Sequence, residues 1–309
     1  MKRERTIPVI IGPTCVGKTS LSIELALSLG AEVVSCDSRQ VYIGMNVGTA
    51  KPPYYIQQII PHHLIDILYP DDSFNARVWA ERAERSIKEI IKKNRKPLIV
   101  CGTGLYLSAL TDGFFSLPEL TNEKRKKIEI KIDEIEKKIP LYDYLKKIDS
   151  ESALRIHKND RYRTKRAIEI FLLTGKPVSY HRMKDKQRRN EKICYIGLTM
   201  NRGQLYKKIE SRVDSMVKNG FVEEVEHLLS LGYRKNLAAF QAPGYRELIR
   251  FLKGETSLKD ALSQTKKRTR NYAKRQFTWF RKLEGVTWFD ISLGYKAILK
   301  RTVDLCLSM

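Results

Sequence analysis

The sequence predicts an α/β fold, in which a parallel sheet of the P-loop NTPase type is flanked by helices and carries a mainly helical insertion. Three observations predict this fold. Short apolar segments alternate with helical ones, a glycine-rich phosphate motif follows the first apolar segment, and a Lys-rich helical stretch interrupts the alternation. We therefore predict a catalytic core of residues 1–116 and 191–309, and an insertion domain of residues 117–190.

Four apolar segments predict the strands of the core, namely residues 7–11, 32–36, 97–101 and 193–200. A helix is predicted over residues 19–29, because Leu21, Leu25 and Leu29 share one face and Gly30 follows as a stop signal. A second helix is predicted over residues 75–93. Four more are predicted after the last strand, over residues 204–219, 222–231, 244–253 and 258–283.

The charge of the chain indicates a polyanionic partner. Lys and Arg number 58 against 35 Asp and Glu, which gives a net charge of +23 over 309 residues. Nucleic acid is the leading candidate for that partner. A generally basic proteome is the alternative, and the position of the charge decides between them. Most lysines of the insertion are expected on solvated helix faces.

The cysteines and the apolar segments limit the class of protein further. Five cysteines are scattered along the chain without any C-x-x-C pair, so the sequence predicts neither a disulfide framework nor a zinc site. No apolar stretch approaches the length of a membrane span. We expect a cytoplasmic protein, acting as a monomer.

The segment "GPTCVGKTS" fits the phosphate-binding pattern G-x-x-x-x-G-K-[ST]. Glycines in such a loop let backbone N–H groups converge on phosphate oxygens, and the following helix adds its positive dipole end. We expect the Lys18 ammonium on the terminal phosphate and the Thr19 hydroxyl on Mg²⁺. The predicted phosphate-binding residues are Gly12, Pro13, Thr14, Cys15, Val16, Gly17, Lys18 and Thr19.

Two further strand ends should face the same pocket, because ligands of open parallel sheets sit outside the carboxyl ends of the strands. Asp37 ends the second strand and Thr103 follows the third. Asp37 is a candidate to associate with a metal, to cap the next segment or to accept a proton, whereas a Thr between glycines is also ordinary turn chemistry. A second Walker element would be an apolar run that ends in Asp, and the nearest match is "HLIDI", in which Asp66 lies inside the run. The lack of a better match weakens the case for a motor ATPase.

Several motifs, in order along residues 7–283, closely resemble those of the tRNA dimethylallyltransferase family. They are "GPTCVGKTS", "DSRQVYIGMNVGTAKP", "HHLIDI", "CGTGLYLSAL", "RIHKNDRYRTKRAIEI", "GYRELIRFLKGE" and "TRNYAKRQFTWFRK". The chain departs from the family pattern at Cys101, where members often carry a glycine, and at Pro243, where they carry an aliphatic residue. Cys306 stands alone where eukaryotic members carry a zinc finger, so the bacterial type is implied.

The resemblance implies transfer of a dimethylallyl group from dimethylallyl diphosphate to N6 of the adenosine immediately 3′ of the tRNA anticodon. The glycine loop then holds a leaving diphosphate, with Mg²⁺ and with Arg212 as a further diphosphate contact. Asp37 is implied as the general base that takes the N6 proton, with Thr103 orienting the carboxylate or the amine. For Arg212, an exposed helix position is an equally good explanation.

The resemblance also implies which residues contact the tRNA anticodon stem-loop. The aromatic residues of the last helix have a second explanation in core packing, which is favoured for Phe280 and equally good for Trp279. The implied tRNA contacts are Asp37, Ser38, Arg39, Gln40, Thr103, Arg125, Tyr162, Arg163, Thr164, Lys165, Arg166, Gln241, Ala242, Pro243, Gly244, Tyr245, Arg246, Lys274, Arg275, Gln276, Phe277, Thr278, Trp279, Phe280 and Arg281.

Two other functions fit the loop without the resemblance. A small-molecule kinase would use the same loop, hydroxyl and strand-end carboxylate for phosphoryl transfer, and would consume ATP. An RNA-binding protein that uses a nucleotide only as a switch would bind tRNA without making a product.

Overall fold

The computed structural model describes residues 6–113, 117–118, 120–184 and 192–308. Its strands are β1 Thr6–Ile11, β2 Ala31–Cys36, β3 His62–His63, β4 Lys96–Cys101, β5 Lys192–Thr199 and β6 Val286–Asp290. Its α-helices are α1 Lys18–Leu29, α2 Tyr54–Ile59, α3 Ala76–Lys92, α4 Gly104–Thr111, α5 Asn122–Lys138, α6 Leu141–Ile148, α7 Ser150–Arg155, α8 Arg161–Thr174, α9 Val178–Lys184, α10 Arg202–Lys218, α11 Phe221–Ser230, α12 Tyr245–Leu252, α13 Leu258–Phe280 and α14 Tyr295–Leu307. The chain divides into two compact units, Met1–Leu110 with Asn190–Met309 and Thr111–Arg189.

The first unit is built on a six-stranded sheet with the order β3-β2-β4-β1-β5-β6. Every neighbouring pair is parallel. The predicted α/β fold is therefore confirmed, and the four predicted strands lie within one or two residues of β1, β2, β4 and β5. Because all strands run the same way, their carboxyl ends share one edge of the sheet.

Apolar side chains pack on both faces of this sheet. Trp79 and Ile87 of α3 and Leu107 of α4 belong to one buried cluster. Leu25 of α1 and Ile209 of α10 belong to a second buried cluster, which also takes in Ile298 of α14. The helices begin and end at expected signals. Asn75 accepts hydrogen bonds from the first turn of α3, and Gly30 ends α1 with a φ of 60°.

Helix α13 crosses the carboxyl edge of the sheet. Ala273, near its middle, belongs to the second cluster, whereas Phe280 at its end belongs to the first. Between them, Gln276 contacts the loops that follow β1 and β4. One helix therefore covers the place where ligands of parallel sheets bind. A third cluster, which includes Phe221, Phe240 and Tyr245, joins α11 and α12 beside this edge.

The second unit is helical in its described residues. Its apolar side chains form two adjoining clusters, one around Leu145 and Ile170 and the other around Ile132 and Ile168. Asp149 accepts hydrogen bonds from the backbone N–H groups of Ser152 and Ser179 and so fixes the start of α7 and of α9. The lysines of α5 are exposed, as expected of a solvated face. None of the described helices combines the length and the apolar composition needed to cross a membrane.

Candidate active site

The loop between β1 and α1 has the backbone that its glycines allow. Gly12 has a φ of 145°, and a Cβ atom there would lie 2.6 Å from the carbonyl oxygen of Leu198. Gly17 has a φ of 106° and is the N-cap of α1. Both conformations are unfavourable for other residues. The strand, loop and helix thus follow one another as the phosphate motif requires.

Lys18, the first residue of α1, extends its side chain back to this loop. Its Nζ donates hydrogen bonds to the carbonyl oxygens of Gly12, at 2.8 Å, and Pro13, at 2.9 Å. Burial lowers the pKa of the Lys18 ammonium to about 8, since removal from water disfavours the charged form. An anion bound beside the ammonium would raise this pKa again, because it stabilises the charged form. Thr19, the next residue, is exposed and lines the cavity beside the loop.

Asp37 caps the turn that follows β2. Its Oδ1 accepts hydrogen bonds from the backbone N–H groups of Arg39, at 2.7 Å, and Gln40, at 3.3 Å. Its Oδ2 lies on the side of Gly102, where a Cβ atom would come within 3.0 Å of it. Gly102 therefore gives this carboxylate the room it needs at the end of the neighbouring strand.

Thr103 contacts the residue after Asp37. Its Oγ1 accepts a hydrogen bond from the backbone N–H of Ser38, at 3.2 Å, and donates one to the Ser38 hydroxyl, at 3.5 Å. Thr103 thus orients the Asp37 turn through Ser38. The hydrogen bond from Thr103 to the carboxylate or to the substrate amine, which the resemblance implies, stays a prediction.

Two cavities meet at Asp37. The loop cavity, of about 270 Å³, is lined by Lys18 and Thr19, and the helix cavity, of about 340 Å³, lies between α10 and α13. Five residues line both cavities and therefore form the boundary between them, namely Thr14, Asp37, Thr49, Arg212 and Tyr272. This boundary therefore contains the Asp37 carboxylate and the Arg212 guanidinium together with Thr14 of the phosphate loop.

Arg212 reaches the phosphate loop from α10. Its Nη1 donates to the Thr14 hydroxyl at 3.4 Å and to Cys15 Sγ at 3.5 Å. The side chain is half-buried, so the structure does not place it on an exposed helix surface. Lys18 and Arg212 bring two positive charges to one loop. Asp66, by contrast, forms an ion pair with Lys51 and does not line the loop cavity.

Some of the implied tRNA contacts line the helix cavity. These are Asp37, Ser38, Arg39, Gln241, Ala242, Pro243 and Arg275. The Arg39 side chain donates to the carbonyl oxygens of Ala238 and Ala239. Gln40 lines the loop cavity, and its amide donates to the carbonyl oxygens of Thr49 and Ala50. Both side chains therefore hold neighbouring loops in place.

The remaining implied contacts divide by exposure. In the first unit, Arg246, Lys274, Thr278 and Arg281 are exposed, and Phe277 and Trp279 are half-buried. In the second unit, Arg125, Tyr162, Arg163 and Arg166 are exposed, and Lys165 is half-buried. Five of these remaining residues are buried, as is Ala242, and the five are Thr164, Gly244, Tyr245, Gln276 and Phe280. Phe280 packs in the first apolar cluster, so core packing is what the structure shows for it.

Sequence reasoning missed several residues that shape the site. The Glu224 carboxylate accepts hydrogen bonds from three successive backbone N–H groups, those of Asn46, Val47 and Gly48, and one from the Tyr245 hydroxyl. It thereby holds the loop that carries Thr49. Arg268 lines the helix cavity and pairs with the buried Glu247 at 2.6 Å. A glutamate or an arginine on an amphipathic helix gives no local signal of either role.

Comparison with known proteins agrees with these features. The model of the family described as IPP transferase matches residues 40–283, and that described as isopentenyl transferase matches residues 5–59. The tRNA dimethylallyltransferase of Staphylococcus carnosus is 44% identical over 285 residues, which cover 91% of this chain and 90% of that protein. The one from Thermoanaerobacter sp. is 43% identical over 303 residues, which cover 96% of each chain.

Solved structures give the same result. The full-length tRNA isopentenylpyrophosphate transferase of Bacillus halodurans superimposes with a TM-score of 0.73 at 37% identity, covering 99% of this chain and 96% of that one. A eukaryotic dimethylallyltransferase acting on tRNA gives a TM-score of 0.79 at 28% identity, covering 93% and 74%. The resemblance inferred from the sequence motifs is confirmed. This chain belongs to the IPP transferase family, together with the tRNA dimethylallyltransferases to which it is similar.

Proposed function

We propose that this protein transfers the dimethylallyl group of dimethylallyl diphosphate to N6 of the adenosine immediately 3′ of the tRNA anticodon, and releases diphosphate. The observation that carries the proposal is the position of Asp37 on the boundary between the loop cavity and the helix cavity. A base at this point can reach a nucleobase in one cavity while the other cavity holds the prenyl donor. Membership of the family supports the same reaction.

The loop cavity takes the diphosphate of the donor. Backbone N–H groups of the loop and the dipole of α1 favour an anion there, and Lys18 and Arg212 add two positive charges. These groups stabilise the negative charge that develops on the departing oxygen. The diphosphate is the leaving group in this reaction, and it departs with both phosphates still joined.

The helix cavity takes the adenine. An adenine that is stacked in an RNA loop is out of reach of the half-buried Asp37 carboxylate, so its nucleotide must be turned out of the stack. As the N6 lone pair forms the new bond to C1 of the donor, the C1–O bond breaks and its electron pair leaves on the diphosphate. Asp37 then takes the N6 proton on its carboxylate. Thr103 holds the turn that presents this carboxylate, through Ser38.

The residues present fit a magnesium ion. Thr19 offers an exposed hydroxyl oxygen to the loop cavity, and Asp37 offers carboxylate oxygen to the same cavity. These are the hard oxygen ligands that Mg²⁺ prefers, usually one or two from the protein together with phosphates and water. Thr19 would hold the ion. When bound, Mg²⁺ neutralises charge on the phosphate oxygens.

The exposed basic residues serve tRNA binding in this proposal. Lys274 and Arg275 of α13 and Arg281, which follows this helix, are exposed, and Arg281 places its guanidinium 4.1 Å from the ring centre of Phe277. Such residues contact phosphates and stacked bases. The second unit would contact the anticodon stem-loop through Arg125 and the segment from Tyr162 to Arg166. We also propose that the enzyme is cytoplasmic and acts as a monomer. Sedimentation with and without tRNA tests the monomeric state.

One incubation tests the function. The protein is mixed with Mg²⁺, dimethylallyl diphosphate and unmodified tRNA, and the tRNA is digested for nucleoside mass analysis. The proposal requires one five-carbon unit on adenosine, with no ATP in the mixture. A parallel reaction with ATP and no prenyl donor detects the ATP consumption of a kinase by formation of ADP. Binding of tRNA with neither product would favour the nucleotide-switch alternative and reject ours.

A further inference from the structure

A single buried side chain joins the two halves of the candidate site. Gln276 of α13 is only 6% exposed. Its Oε1 accepts a hydrogen bond from the backbone N–H of Thr14 in the phosphate loop, at 2.8 Å. Its Nε2 donates to the carbonyl oxygen of Gly102, at 2.7 Å. The amide therefore spans from the loop after β1 to the loop after β4.

The chemistry of an amide suits this position. A backbone N–H needs an acceptor and a backbone carbonyl needs a donor, and a Gln side chain offers both at a fixed separation. Two buried backbone groups are thereby satisfied at once. Tyr272, one turn earlier on α13, adds a hydrogen bond from its hydroxyl to the same Gly102 oxygen at 3.0 Å. Gly102 is thus fixed from two points on one helix.

Each end of this bridge adjoins a reacting group of the proposed function. Thr14 belongs to the loop that would hold the diphosphate, and its hydroxyl contacts Arg212. Gly102 lies against Oδ2 of Asp37, the proposed base. Gln276 is therefore a direct link between the loop that would hold the leaving group and the residue that lies beside the base.

We propose that Gln276 is a positioning residue that sets the separation between the phosphate loop and Asp37. This inference rests on the proposed function and assigns to Gln276 a part other than the RNA contact that its motif implies. It touches neither reacting atom. Its contribution is the alignment of the Asp37 carboxylate with the N6 amine that attacks the prenyl carbon, because misplacement by about 1 Å costs a rate factor on the order of 10².

The first test replaces Gln276 with Ala. We expect kcat to fall roughly 10- to 100-fold, with the tRNA Kd and the donor KM close to those of the parent. Gln264→Ala is the matched control, because Gln264 is an exposed glutamine on the same helix and lines neither cavity. Gln276→Glu keeps the size and the acceptor for Thr14 N–H, but places a carboxylate oxygen against the Gly102 carbonyl. It serves where the Ala variant does not fold, and the same loss of kcat is expected.

The second test separates positioning from support of the fold. In a protein that already carries Asp37→Asn, alignment with a carboxylate base no longer matters, so Gln276→Ala should cause little further loss of kcat. Equal losses in both backgrounds would overturn the proposal, because a purely structural role is additive. An unchanged kcat in the single variant would also overturn it. If the parent protein adds no prenyl group to tRNA, the proposed function itself has failed, which is a different result.

Discussion

Replacement of Asp37 by Asn isolates the chemistry of the proposed base from its structural role. The Asn amide oxygen can still accept the hydrogen bonds that Oδ1 accepts from the backbone N–H groups of Arg39, at 2.7 Å, and Gln40, at 3.3 Å. The turn after β2 is therefore kept. What disappears is the negative charge and the ability to take a proton. Replacement by Ala would remove both functions together and confuse them.

The size of the expected effect follows from the role. A lost general base lowers turnover by a factor on the order of 10² to 10⁴. At about 1.4 kcal/mol for each factor of ten, the barrier rises by about 3 to 6 kcal/mol. The melting temperature and the affinity for tRNA should stay close to those of the parent, because no hydrogen bond of the turn is lost.

The chain offers a matched control at the same edge of the sheet. Asp290 ends β6, and its Oδ1 accepts a hydrogen bond from the backbone N–H two residues later, at 2.9 Å, as Oδ1 of Asp37 does. Asp290 lines neither the loop cavity nor the helix cavity. We expect Asp290→Asn to keep full turnover. Single-turnover prenylation at saturating donor and tRNA is the assay. Normal turnover in Asp37→Asn refutes the reasoning, and so does an equal loss in the two variants.

Three more outcomes are expected. Because the pKa of Lys18 is about 8, its ammonium is charged below that pH and neutral above it. The KM for the prenyl donor should therefore rise as the pH passes 8. The Lys18→Arg variant stays charged, so a rise of the same size in that variant would contradict the assignment. Glu224→Gln loses one acceptor oxygen for the loop N–H groups, and we expect the free energy of unfolding to fall by about 1.5–3 kcal/mol. Denaturant titration measures this change. An unchanged midpoint of the unfolding transition would show that the loop does not need this carboxylate. The tRNA affinity should fall linearly in log–log plots against salt, and a flat plot argues against phosphate contacts by Lys274 and Arg281.

The strands of the core were predictable wherever a strand is a run of apolar residues. β1, β2, β4 and β5 are such runs, and each lies within one or two residues of its predicted range. β3 was not predictable, because it consists of His62 and His63 and its pairing depends on β2. β6, at the opposite edge, begins with the β-branched and aromatic residues Val286 to Phe289 after Gly285, which is a local strand signal that the sequence prediction overlooked.

The same distinction applies to the site. The phosphate loop is a contiguous motif, and the carboxyl-edge rule brings Asp37 to it, so both were found from the sequence. Gln276 is 262 positions from its partner Thr14, and Glu224 is 177 positions from Val47. Hydrogen bonds over such separations are set by the fold. The motif containing Gln276 implied a contact with RNA, and that motif by itself did not indicate that its side chain is buried.

The inner face of α13 did contain a usable signal. Tyr272 and Gln276 share the inner side of the helix one turn apart, and such polar side chains are unusual on a helix packed against an apolar core. The hydroxyls of Thr265 and Thr269, on the same side, bond to carbonyl oxygens of α13 itself and need no outside partner. A buried amide or hydroxyl needs hydrogen-bond partners, and the flat faces of a sheet offer few, since their backbone groups are paired within the ladder. Unpaired backbone groups occur where strands end. A helix with a buried polar stripe therefore belongs across a strand edge, and in a parallel sheet the loops that form sites gather at the carboxyl edge. On this argument the polar stripe of α13, more than its basic outer face, is what indicates its place over the candidate site.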